Sequence, residues 1–77
     1  MNLKEFIEKK INDYAQNIID KGDKYDQLAV GEIIFYTSLR SVVKGNATKQ
    51  DIGLIDAVND TLQALEIINS DESFYKK

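Results

Sequence analysis

Apolar residues recur at helical spacing in three stretches of this chain, set apart by Gly22 and Gly45, with no proline to interrupt them. In the first stretch Leu3, Ile7, Ile11, Tyr14 and Ile18 succeed one another at intervals of four, four, three and four, which traces one face of a helix. Phe6, Ala15 and Ile19 widen that stripe. Asn2 is placed to cap the helix, Glu5 stands three residues on to complete a capping box, and Met1 and Phe6 occupy the two positions of a hydrophobic staple. Glu5 and Lys9 form an i,i+4 pair on the wet side. Gly22 is expected to end the helix in a left-handed cap. The spacing predicts a helix at about 3–21.

The next link is short, so the first two helices should be antiparallel neighbours, with Asp23 or Asp26 capping the second. The second helix, at about 26–44, is the least polar segment. Leu28, Phe35, Leu39 and Val42 mark one of its faces, and Ala29, Ile33, Tyr36 and Val43 mark another. A helix apolar on two faces is usually sandwiched between partners. Ile33-Ile34-Phe35-Tyr36 would also suit a strand, but no second strand candidate exists to pair with it. Gly45-Asn46 closes this helix. Thr48 with Asp51 then approximates a second capping box, and Ile55, Val58, Leu62 and Leu65 run at heptad spacing through a third helix at about 49–69. Ile52 and Ile68 extend that stripe, and Ala57, Thr61 and Ala64 form a small-residue flank that would let another helix approach closely. The tail, 70–77, is either a frayed last turn or a docked one.

These elements imply an all-α fold, a three-helix up-down-up antiparallel bundle in one domain spanning 1–77. At 77 residues the chain lies near the size at which one core barely outweighs chain entropy. With no cysteine, neither a disulfide nor a zinc cluster supplements it. The apolar supply of the second helix exceeds what two neighbours need, so we expect a homodimer that buries the surplus.

Composition narrows function mainly by exclusion. There is no histidine and no cysteine, which removes most side chains used for acid–base catalysis and transition-metal binding. The remaining carboxylates with any promise are Asp56 with Asp60 one turn apart, and Glu32 amid Val30, Ile33 and Ile34. Carboxylate catalysis needs a deep concave site to shift pKa values, and three short helices hardly form one. Glu32 reads more simply as an exposed notch or the partner of a lysine on the first helix. We expect no enzyme activity and no cofactor. Asp20, Asp23 and Asp26 invite a calcium-loop reading, but counting from Asp20 the sixth residue is Tyr25 and the twelfth Gly31, where an EF-hand needs glycine and glutamate. We expect no metal.

Net charge is −3, and Arg40 is the one arginine among ten basic residues. That balance weighs against nucleic acid, whose binders present basic stripes to phosphate. No stretch approaches the roughly 20 apolar residues of a membrane span, and the first ten residues lack a signal-peptide layout. We expect a cytoplasmic protein without membrane contact. Abundant Ile, Lys, Asn and Asp point to an AT-rich genome such as that of a low-GC bacterium or its phages.

One stretch, Thr48-Lys49-Gln50-Asp51-Ile52-Gly53-Leu54-Ile55-Asp56-Ala57-Val58-Asn59-Asp60-Thr61, resembles the helix-turn-helix of bacterial repressors. The resemblance would put Gly53 at the small position and a turn at Ala57-Val58-Asn59, and it implies a DNA-binding regulator using residues 48–66. Asp56 falls where that motif buries an apolar residue, Ala57 replaces the turn glycine, and Asn59, Asp60, Gln63 and Glu66 would face phosphate with no basic residue. One uninterrupted helix accounts for the heptad spacing better. The leading expectation is therefore a small non-enzymatic accessory protein, of the kind phages and mobile elements use as regulators or inhibitors, that binds another protein through a helical surface. Its candidate interface residues are Tyr25, Phe35, Tyr36, Leu39, Arg40, Phe74 and Tyr75, aromatics and an arginine being the usual interface anchors.

Overall fold

The structure is a computed structural model that describes residues 1–21 and 27–76. Those residues form three α-helices, α1 (Leu3–Asp20), α2 (Gln27–Lys44) and α3 (Lys49–Ala64), then a 3₁₀ turn at Phe74–Lys76. They contain no strand. The expected cap at Gly22, the capping aspartates Asp23 and Asp26, and the interface candidate Tyr25 lie outside the described residues.

Asn2 caps α1 as expected, its Oδ1 accepting from the Glu5 N–H at 2.8 Å. Glu5 answers by accepting from the Asn2 side-chain amide at 3.1 Å. With Glu5 engaged at the cap, Lys9 turns instead to Asp13, 2.7 Å away. Phe6 meets Tyr36 edge-on, ring centres 6.0 Å apart, and Met1 stays exposed. Ile7 and Ile11 are buried, and Leu3, Tyr14 and Ile18 are half-buried along the same line. Ile19 sits ~100° around the helix from Ile18 and faces solvent.

The expectation of a sandwiched second helix holds. α2 packs against α1 and against α3, whereas α1 and α3 approach each other far less. Leu39, 2% exposed, joins Ile7 and Ile11 of α1 and Ile55 of α3 in the core, with Phe35, Tyr36, Val42 and Val43 packed around them. The buried Ser38 hydroxyl bonds the Asp51 carboxylate at the start of α3. Gly45, at φ +80°, closes α2: its N–H donates to the Val42 carbonyl (3.2 Å) and the Asn46 N–H to that of Ser41 (3.0 Å). This pair of bonds is a Schellman cap, which calls for the left-handed conformation glycine adopts freely.

A full capping box opens α3. Asp51 N–H donates to Thr48 Oγ1 at 3.1 Å, and Thr48 N–H donates to Asp51 Oδ2 at 3.0 Å. The Thr48 N–H and then the Ser38 hydroxyl hold the Asp51 carboxyl below its ordinary 3.8. The helix stops at Ala64, short of the expected 69. Here too the stop is a Schellman cap, with Glu66 N–H bonded to the Gln63 carbonyl and Ile67 N–H to that of Leu62, both at 3.0 Å. Glu66 takes the left-handed position at φ 59°. No glycine marks this turn, so the periodic pattern runs through it unchecked. Leu65 consequently lies exposed, while Ile68 is buried from the segment beyond the helix.

Two polar side chains of α3 hold the C-terminal tail. Asn59 accepts from the Phe74 N–H (2.9 Å) and donates to the Glu72 carbonyl (3.3 Å). Gln63, one turn on, donates to the carbonyls of Ser70 (3.1 Å) and Glu72 (2.8 Å). The tail is docked, and Phe74 and Tyr75 pack against the core.

The result is elongated, 44 × 24 × 22 Å, with a radius of gyration of 13.9 Å, against about 11.5 Å for a compact domain of this length. Both the strained turn and the tail clasp can be tested by substitution. Glu66→Gly should raise stability by about 1 kcal/mol, since glycine takes φ > 0 without Cβ strain, read as a higher urea midpoint at unchanged slope. Asn59→Ala should cost about 1–3 kcal/mol by orphaning buried backbone groups and should speed hydrogen exchange at the Phe74 amide.

Candidate functional site

The sequence-selected interface residues are mostly occupied within the chain. Leu39 is a core residue and presents nothing to a partner. Phe35 and Tyr36 meet edge-on at 5.1 Å, Tyr36 also stacks on Tyr14 at 6.2 Å, and Phe74 and Tyr75 contact each other at 5.4 Å. All four are half-buried against the core. The helix-turn-helix resemblance fares no better, since Lys49–Ala64 is one continuous helix without a turn at Ala57–Asn59. Asn59 and Gln63, expected on its outer face, bind the chain's own tail instead. A polar residue four positions from Ile55, on the core-facing line of α3, was the sequence signal for that inward role.

Arg40, a candidate interface anchor, pairs with Glu8 of α1. Its Nη1 lies 3.3 and 3.4 Å from the two Glu8 carboxylate oxygens. Charge-assisted bonds usually measure about 2.7–2.9 Å, so this pair is loose, and it is partly solvated, with side chains 36% and 47% exposed. Around it α1 contributes Lys4, Ile7 and Glu8, and α2 contributes Arg40, Val43 and Lys44, to a groove of about 410 Å³. Each helix supplies positions i, i+3 and i+4, the spacing that puts three side chains on one wall. A second groove, lined by Asn2, Leu3, Lys4, Val43, Tyr75 and Lys76, shares Lys4 and Val43 with the first. Four basic residues thus border two joined grooves whose lining holds one carboxylate, Glu8. No sequence pattern announces this, because Lys4 and Lys44 lie at opposite ends of the α1–α2 pair in the chain.

A different surface opens on α3. Leu54, Ala57, Val58, Thr61 and Leu62 line a shallow apolar depression of about 270 Å³. Thr61 donates its hydroxyl to the Ala57 carbonyl at 2.8 Å, which satisfies the one side-chain polar group present. A Cβ added to Gly53, one turn before Ala57, would meet no heavy atom within 4 Å. The small-residue flank expected on the third helix is therefore present and uncovered.

Beside the aromatic cluster, the Lys10 ammonium lies 5.8, 5.0 and 6.0 Å from the ring centres of Phe6, Tyr14 and Tyr36, within cation–π range. Tyr14 donates its hydroxyl to the Glu32 carboxylate, which raises the phenol above its ordinary 10.0. The Tyr14 hydroxyl in turn accepts from Lys10, and that bond is the main reason Lys10 is raised above its ordinary 10.5, with the Glu32 charge adding to it. Glu32 therefore meets a lysine of the first helix partly through Tyr14. Among the described residues no group of three or more His, Cys, Asp or Glu is placed to hold a metal ion, and no helix is long and apolar enough to cross a membrane.

Both raised groups bind their protons more tightly folded than unfolded. Their contribution to stability is complete below about pH 10 and is lost as pH climbs through the raised folded values. Urea midpoints should thus hold up to the ordinary tyrosine value of 10.0 and fall as pH rises past it, with a shallower fall in Tyr14→Phe, which removes one raised group and the main cause of the other's shift. No family model, curated protein or solved structure matches the chain, so what it does has to be read from these surfaces.

Proposed function

We propose that this chain is a non-enzymatic accessory protein that binds other proteins through exposed helical faces, and that it self-associates through the outer face of α3. The observation that carries the reading is unburied surface. The chain exposes 5566 Å², whereas a compact monomer of 8.8 kDa exposes about 4,800 Å². The excess of about 800 Å² equals one partner's share of a standard protein–protein interface.

α3 and the residues just past its end carry more of the exposed large hydrophobics than the second helix does, four against two. α2 spends its apolar faces on α1 and α3, keeping Leu28 and Ile34 as its large exposed hydrophobics. α3 leaves Ile52 and Leu54 exposed, and Leu65 and Ile67 come next at its end. Gly53, Ala57 and Thr61 form an exposed groove of small residues beside a ridge of Leu54, Val58 and Leu62, of which Leu54 is exposed and the other two half-buried. A ridge beside a groove along i±4 rows is complementary to a second copy of itself, and a two-fold pairing would close without leaving an open end.

Sedimentation equilibrium tests this. The wild type should show a two-chain mass at micromolar concentration. Leu54→Lys combined with Ala57→Arg should yield a monomer with unchanged helical circular dichroism, because both positions are exposed. A wild type that stays monomeric, or a variant that still dimerises, removes α3 as the self-association face.

A further inference from the structure

We infer that the groove between α1 and α2 is a docking site for an acidic peptide segment that carries an apolar side chain. The inference rests on the reading of the chain as a protein-binding module, but not on the pairing of α3. Val43 and the buried Ile7 make the floor, and Lys4, Arg40 and Lys44 stand on the rim, with Lys76 reached through the adjoining groove. Among the described residues, neither Lys4 nor Lys44 has an ion-pair partner. An apolar floor under a cationic rim suits a ligand that is itself apolar at one atom cluster and anionic at the next, with the lysine stems adding to the apolar contact.

The Glu8–Arg40 pair sharpens the specificity. At 3.3 and 3.4 Å it is long and solvated, and exposed pairs of this kind contribute little to stability. Arg40 is thereby held near the groove yet remains free to exchange Glu8 for a carboxylate of the incoming segment, which its planar fork matches in geometry. Glu8 acts as an internal competitor. The same carboxylate argues against a nucleic acid. A polyphosphate backbone gains affinity from rows of unopposed cations, and here it would meet Glu8 inside the groove on a chain of net charge −3. Four localised basic residues match a short acidic stretch of a protein better than a long polyanion.

Fluorescence anisotropy with a labelled peptide of alternating glutamate and leucine tests the site. Its controls are a glutamine-for-glutamate peptide, a serine-for-leucine peptide and a single-stranded oligodeoxynucleotide of equal charge. The glutamate–leucine peptide should bind saturably, weaken with salt and exceed all three controls. Lys4→Glu with Lys44→Glu should weaken it at least about tenfold. Glu8→Gln should tighten it by about threefold or more, because the competing carboxylate is gone. All three substitutions lie at the surface, and circular dichroism verifies that each variant is folded. No saturable binding at low salt, equal binding of the glutamine peptide, tighter binding of the oligonucleotide, or indifference to the charge reversal would each overturn the site. Sedimentation of the same samples separates the two readings. Dimers that ignore the peptide remove this groove alone, while monomers that ignore it remove the protein-binding reading as well.

Discussion

Everything in this molecule depends on α2 serving two neighbours at once. α1 and α3 scarcely touch, so the core exists only where Leu39 of α2 brings Ile7 and Ile11 of α1 together with Ile55 of α3. Burying such a side chain is worth about 1.5–3 kcal/mol relative to leaving it exposed, and few side chains here are buried fully. The fold therefore relies on a narrow apolar contact. α1 and α3 do not close on each other, and the shape is correspondingly elongated.

Polar chemistry secures the periphery of this small core. The capping box of Thr48 and Asp51 is tied to α2 through Ser38. Asn59 and Gln63 accept and donate along the tail backbone and so bring Phe74 and Tyr75 onto the core. A buried amide is costly when unpaired, and the buried Asn59 and half-buried Gln63 both find their partners in the tail backbone. The tail is thus part of the packing, its two aromatic side chains lying against the aliphatic core.

Charge is distributed with the same asymmetry. The chain is acidic overall, yet Lys4, Arg40, Lys44 and Lys76 border one pair of grooves, while the α3 depression is lined by apolar and small residues. The two surfaces lie on different elements and share no lining residue, so the self-association and the peptide docking proposed above would not compete.

Much of the fold was legible along the chain because helices are local. Intervals of three and four, an asparagine or threonine before each acidic N3 residue, and Gly45 at a turn depend on neighbours within a few positions, and the structure obeys them in α1, in α2 and at the start of α3. The end of α3 escaped because its left-handed turn falls on Glu66, whose side chain carries no such signature. The fate of individual side chains was illegible for a further reason. Leu39 and Leu28 lie on one apolar face by sequence, yet one is interior and the other 75% exposed, since burial depends on where the neighbouring helices cross. The sequence by itself determined three amphipathic helices and the absence of histidine and cysteine chemistry, through local spacing and composition. Only the tertiary structure decided which faces stay uncovered and which distant charges meet, because helix crossing brings Lys4 beside Lys44 and Glu8 beside Arg40 across some forty and thirty residues of chain.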